Sequence, residues 1–231
     1  AVHDFNFASI PVVFEDENVI ILDKPCGLLS IEDGFQPNLP NLRSMLKNEF
    51  GNIWAVHRLD KETSGIILFA KNAEAHRYMN SQFSDRRINK TYLAIVQGFP
   101  LWNEKKIELP LRVNGDRKHR TIIDSINGKK ALTSIELVEK WATFSLFRIV
   151  PATGYTHQIR AHCASIGLPI AGDRQYFWGC EIRAEKSINR LFLHAQSLEI
   201  SLSYKENPRI FSVPLPDQFR DFISGLSAYH A

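Results

Sequence analysis

Residues 131–150 read ALTSIELVEKWATFSLFRIV, two runs of β-forming residues, Ala131 to Glu139 and Thr143 to Val150, with a three-residue break between them. Upstream, Lys90 to Val96, Ile107 to Val113 and Arg120 to Ile123 alternate or run in the same residue types. Turn signals stand between them at Asn114-Gly115 and Asn127-Gly128. The middle of the chain therefore reads as largely antiparallel sheet. Toward the N-terminus, Val12 to Glu15 and Val19 to Asp23 predict two further short strands, stopped by Pro25 and Gly27, and Ile66 to Ala70 a compact apolar one.

Helical periodicity is confined to four places. Leu42, Met45, Leu46 and Phe50 share one face of a helix that Gly51 stops. Asn72 is placed to cap a second helix carrying Ala75, Tyr78, Met79 and Phe83 on its inner face. A third is expected from about His157 to Ile166, ended by Gly167 and Pro169, with His162 and Cys163 facing the core. The fourth runs from Asp217 through Phe219, Phe222, Ile223 and Leu226. Many strands with few helices predict an α+β fold whose mixed, mostly antiparallel β-sheet is flanked by helices and loops. One continuous domain over residues 12–231 is expected behind a tail of residues 1–11.

The composition is that of a globular chain: 231 residues, 44% hydrophobic and 23% charged, which excludes intrinsic disorder as the main state. Apolar runs such as Ile66 to Ala70 fall far short of the roughly 18 residues of a membrane span. The opening AVHDFNF lacks the basic flank and apolar stretch of a secretory signal, so a cytoplasmic setting is expected. Cys26, Cys163 and Cys180 are odd in number and widely spaced, which predicts no disulfide framework. The net charge of +3 is small, but Arg112 to Lys130 hold six basic residues against two acidic ones, and Arg86, Arg87 and Lys90 form a second basic cluster. Such clusters suit solvated loops as well as a polyanion.

Two segments are dense in reactive side chains. HRLDKETSG, residues 57–65, lies between apolar stretches and holds Asp60 between Arg58 and Lys61. A cation close by keeps such a carboxylate ionised, as nucleophile, base or simply the acid of a salt-bridged turn. TGYTHQIRAH, residues 153–162, sets a glycine turn before a helix start that carries His157, Gln158 and Arg160. Exposed amides at a helix start suit an anion such as phosphate. His157 and His162 are five apart and do not share a helical face, so no metal site is expected.

HRLDKETSG (57–65) with the strand IILFAK, NKTYLAIVQG (89–98), TGYTHQIRAH (153–162) and GLPIAGDRQY (167–176) together resemble the RluA branch of the pseudouridine synthases. KPCGL at 24–28 and LFLHA at 191–195 are similar to that family's opening and late strand, so the resemblance spans about Val12 to Pro216. It implies a pseudouridine synthase fold and an isomerase that converts uridine in RNA to pseudouridine without metal or other cofactor. By the same resemblance Asp60 is the catalytic aspartate, Tyr92 the active-site tyrosine, and Arg160 the cation paired with the aspartate. Arg58 matches the arginine that helps extrude the target base, and His57, Thr63, Lys90, His157 and Gln158 are further substrate-binding candidates.

The implied partner is an RNA stem-loop, ribosomal or transfer, engaged without membrane or protein partner, with a monomer as the simplest state. Phosphate contacts are expected from Lys61, Arg86, Arg87 and Arg117 to Arg120. Tyr155 stands where the family often has Arg, and Cys26 where Ser or Ala is usual. The small basic RNA-binding domain that many relatives carry in front is not expected here, with few residues before Val12. Two other classes stay in view: a hydrolase using Asp60 with Glu62 or Asp173 as a second acid, and an RNA-binding protein without catalysis. Asp173 reads as the structural end of its loop.

Overall fold

Ser64–Ala70 (SGIILFA) is buried at every position, the signature of a strand covered on both faces. The computed structural model describes residues 5–34, 36–176 and 188–226. In chain order its strands are β1 (Val12–Glu15), β2 (Val19–Lys24), β3 (Trp54–Ala55), β4 (Ser64–Ala70), β5 (Asn89–Gln97) and β6 (Glu104–Ile107). There follow β7 (Leu111–Arg112), β8 (Ile122–Ile123), β9 (Thr133–Lys140), β10 (Phe144–Pro151), β11 (Leu193–Ile200) and β12 (Arg209–Ser212). The α-helices are α1 (Leu42–Phe50), α2 (Ala73–Ser84), α3 (Gln158–Ser165) and α4 (Asp217–Ser224). This is the expected α+β class, with antiparallel pairing in β1·β2, β2·β4, β5·β10, β9·β10, β6·β9 and β11·β12.

The chain folds as two compact units. The first holds the described residues up to Lys90 together with Ala195–Pro214. Its strands run in the order β1-β2-β4-β11, with β12 on β11 and β3 on β4. Val19, Ile20, Ile21 and Leu22 of β2 and Ile67, Leu68 and Phe69 of β4 are wholly buried, each worth about 1.5–3 kcal/mol. The Asn72 side chain accepts the Ala75 N–H at 2.8 Å and so caps α2 as its sequence predicts, and Asn41 caps α1 in the same way through the Ser44 N–H.

The second unit holds Thr91–His194 and the segment from Leu215 on. Its strands run β5-β10-β9-β6, with β7 and β8 as a separate small pair. Ile159 and Cys163 of α3 and Phe219 and Phe222 of α4 share one core with Ile95, Phe144 and Phe147 of the sheet. His162 and Cys163 are both fully buried, as predicted.

Some boundaries depart from the pattern. The run Ile107 to Val113 is not one strand: β6 stops at Ile107 and β7 begins at Leu111, because Pro110 has no N–H to give a ladder. β3 and β12 were not expected, being only two and four residues long, the latter exposed at three positions. The third helix starts one residue late, since His157 sits at φ 55°, outside helical geometry. Cys163 is a buried free thiol, Cys26 is half-buried, and Cys180 lies outside the described residues.

Candidate active site

Residues 56–63 connect β3 to β4, which pair with each other at Trp54–Ala70 and Ala55–Phe69, so both ends of this loop are anchored on the first unit's sheet. A second segment, residues 24–30, grips it from outside. Ser30 Oγ donates to the Leu59 carbonyl at 2.8 Å and accepts the Leu59 N–H at 3.1 Å. Gly27 N–H and Lys24 Nζ both donate to the Lys61 carbonyl, at 2.8 and 3.2 Å. Cys26 Sγ donates to the Glu62 carbonyl at 2.9 Å, and within the loop the Thr63 N–H reaches the Asp60 carbonyl at 3.1 Å. Asp60 therefore stands between two clamped residues, with its own side chain half-buried.

Lys24 is wholly buried, a costly place for an ammonium unless every proton is accepted. Its three donors meet the carbonyls of Pro25, Leu28 and Lys61 at 2.9, 2.7 and 3.2 Å. One side chain thus ties the end of β2 to the loop that carries Asp60.

His57 turns inward. Its Nε2 accepts the Leu68 N–H at 2.9 Å and its ring stacks on Phe83 at 4.7 Å. Burial, with the nearby Lys90 charge adding, pushes the imidazole down to about 3, so it is neutral and holds the loop to β4. Burial likewise lowers the Lys90 ammonium. Arg58 is exposed, while Thr63 is buried and its hydroxyl has no hydrogen-bond partner among the described residues. His57, Arg58, Asp60, Thr63 and Lys90 thus belong to the first unit; Tyr92, His157, Gln158 and Arg160 belong to the second.

In the second unit Tyr92 lies half-buried on β5, opposite Ile149 of β10. Gln158 is buried and its amide is saturated. Its Oε1 accepts from the Thr153 hydroxyl and the Tyr155 N–H, and its Nε2 donates to the Leu132 carbonyl and the Thr133 hydroxyl. An amide has two donors and two lone pairs, and all four are used here in holding the 153–158 turn against residues 132 and 133. His157 Nδ1 lies 3.1 Å from the Tyr176 hydroxyl, which in turn accepts the Thr121 N–H at 2.8 Å.

Arg160 is 4% exposed. Its Nε and Nη2 donate to the two oxygens of Asp173 at 2.7 and 2.9 Å, and Nη2 also donates to Gln175 Oε1 at 2.9 Å. Asp173 ends its loop by accepting the Gln175 and Tyr176 N–H groups and is ion-paired to Arg160. Of the basic stretch, Arg112 pairs with Asp124 and Arg120 with Asp116, whereas Arg117, Lys118, Lys129 and Lys130 are exposed.

Sequence reasoning missed the hold of Lys24 and Ser30 on the Asp60 loop and the pairing of Asp173 with Arg160. The signals were a lysine and proline closing an apolar strand, and a Gly-Asp pair after an apolar run.

Residues 18–165 match a family described as RNA pseudouridylate synthase. An uncharacterized RNA pseudouridine synthase of Zymomonas mobilis is 40% identical over 216 residues, 91% of this chain and 95% of that protein. The dual-specificity RNA pseudouridine synthase RluA of Escherichia coli K12 is 33% identical over 88% of this chain and 92% of its own length. The ribosomal large subunit pseudouridine synthase D of Borreliella burgdorferi is 34% identical over 93% of this chain and 68% of its own. Among solved structures, human RNA pseudouridylate synthase domain containing 4 superposes with a TM-score of 0.73 at 23% identity, covering 92% of this chain and 91% of that one, which shows the fold.

Proposed function

Given that the chain belongs to the RNA pseudouridylate synthase family, with relatives of the RluA type, and is an isomerase of uridine in RNA, we propose that Asp60 is its catalytic carboxylate. The observation that carries this is the grip on the Asp60 loop: Ser30 on one side, Lys24 and Gly27 on the other, with the carboxylate left half-buried at the middle. A group held so firmly from both flanks is prepared to meet a reacting atom at one position.

The reaction breaks the bond between N1 of uracil and C1′ of ribose and forms one between C5 and C1′. The proton of C5 is lost and N1 gains one, so no atom is consumed. Asp60 serves by attacking C1′ as a nucleophile or by removing the proton of the neighbouring sugar carbon, and both routes stay open. Tyr92 acts in the loss of the C5 proton, directly or by stacking on the base and ordering a water. Arg160 is the cation that the family resemblance assigns to the carboxylate.

Arg58, exposed beside Asp60, is suited to stack in the gap left when the target base leaves its helix, which costs a few kcal/mol. Lys90 and His157 complete the substrate side, and Thr63 and His57 support the loop. The substrate in this reading is a structured RNA, a stem-loop of ribosomal or transfer type, met in the cytoplasm by a monomer. The name of one relative, a ribosomal large subunit pseudouridine synthase, supports the ribosomal class.

Tritium release from RNA labelled at uridine C5 tests the proposal, because isomerisation must expel that label. Wild type is expected to release it and Asp60→Asn to bind RNA without release. Release by both proteins would remove Asp60 from the chemistry. Binding without release by either would favour an RNA-binding role alone.

A further inference from the structure

Tyr204, in the connection between β11 and β12, is 82% exposed. A lone exposed aromatic needs no explanation, but this one does not stand alone. Its ring meets that of Tyr78 edge to face, with the centroids 4.3 Å apart. Tyr78 is buried in α2, and its hydroxyl is hydrogen-bonded to Ser201 of the same connection. Leu202 is buried as well. The connection is thus anchored on both sides of its tip, and the Tyr204 ring is held in place while most of its surface faces solvent.

Cations stand close by. Arg86 and Arg87 follow directly on α2, Lys205 is next to Tyr204 in the chain, and all three are exposed. The charge of Arg87 reaches the Tyr78 hydroxyl, as does that of Glu206. Arg87 also pairs with Asp85 at 3.4 Å, but both side chains are largely open to water, where such a contact is weak and readily exchanged for a phosphate. The same helix reaches the Asp60 loop, since Phe83 in its last turn stacks on His57 at 4.7 Å. Phe83, Arg87, Tyr78 and Tyr204 all belong to the first unit, and so does Asp60.

A fixed ring with an open face beside guanidinium and ammonium groups fits an unpaired nucleotide: the base stacks on the ring and the flanking phosphates meet the cations. A base inside a duplex keeps both faces against its neighbours and has none to offer. Because Tyr78 already holds the ring, stacking on it costs little side-chain entropy.

We propose that Tyr204 is a stacking platform for an unpaired base of the substrate RNA, with Arg87 and Lys205 meeting the adjoining phosphates. This deepens the RNA-isomerase reading above and rests on it: the substrate then carries a further unpaired nucleotide near the target uridine.

The test compares wild type, Tyr204→Phe, Tyr204→Leu and Arg87→Gln as full chains. Fluorescence anisotropy measures their binding to a labelled single-stranded oligouridylate and to a blunt RNA duplex of equal length, and tritium release from bulk RNA labelled at uridine C5 measures turnover. Tyr204→Leu is expected to weaken oligouridylate binding by roughly fivefold to a hundredfold, and Tyr204→Phe, which keeps the ring, by less than about twofold. Neither should change affinity for the duplex. In turnover Tyr204→Leu should raise KM and leave kcat unchanged, because the stack is made equally before and during the reaction. Arg87→Gln should flatten the slope of log K against log salt for oligouridylate by about 0.7, one phosphate's share. Wild-type affinity in Tyr204→Leu, an equal loss in Tyr204→Phe, an equal loss on the duplex, or a fall in kcat at unchanged KM would overturn the proposal. If wild type neither binds RNA nor releases tritium, the RNA-isomerase reading itself falls. Wild-type binding and release, both matched by Tyr204→Leu, sink the platform alone.

Discussion

His57 shows how one side chain links the loop to stability. Its Nε2 accepts the Leu68 N–H, which an imidazolium cannot do, and burial holds the ring near 3 rather than its ordinary 6.5. Above about pH 6.5 neither the folded nor the unfolded chain carries this proton, and the full stability is present. As pH falls from 6.5 toward 3, the unfolded chain binds a proton that the folded one refuses. Stability should therefore decline by about 1 kcal/mol per pH unit across that window and level off below it. Urea unfolding of wild type and His57→Gln near pH 4 and pH 7 checks this: the variant should lose the extra slope, and identical slopes would refute the argument. Lys24 is the complementary case, a charge kept in the interior because three carbonyls receive it.

At the scale of elements, β4 carries the demand that places the Asp60 loop. Its seven residues are all buried, and Gly65 sits at φ 116° where a Cβ would collide with the backbone of Ala195. Only glycine lets β4 lie this close to β11, so Gly65→Ala should destabilise the chain by about 3 kcal/mol or more, since clash and positive φ act together. Chemical denaturation measures this directly; a loss under about 1 kcal/mol would mean that the strands adjust freely. The helices around this strand were legible because their signals are local: α1 shows in its apolar spacing, and α2 also in the Asn72 cap, which bonds to an amide three residues on. β3 and β12 were not, because a strand of two to four residues exists only through the partner it finds.

Taken whole, the molecule has a net charge of only +3, so its engagement with RNA depends on where the charges stand. Arg112 and Arg120 are balanced by Asp124 and Asp116, which leaves Arg117, Lys118, Lys129 and Lys130 as exposed cations of that stretch. Replacing Arg117 and Lys118 by Ala should weaken RNA binding and flatten the slope of log K against log salt by about 0.7–0.9 for each phosphate that the variant no longer neutralises. Unchanged affinity and slope in a filter-binding titration would place the RNA elsewhere.

The sequence by itself determined the fold class and the family, and it singled out the two segments densest in reactive side chains. Strand alternation, helix caps and the HRLDKETSG and TGYTHQIRAH motifs are local properties, written in residues that lie next to each other. It could not determine what each polar side chain does. Only the tertiary structure turned Gln158 into a saturated brace, His57 into a neutral acceptor, Lys24 into a clamp across residues 24 to 61, and Asp173 into the partner of Arg160. Those roles come from hydrogen bonds and burial between residues distant in the chain, and a buried polar group acts through the partners that folding brings to it.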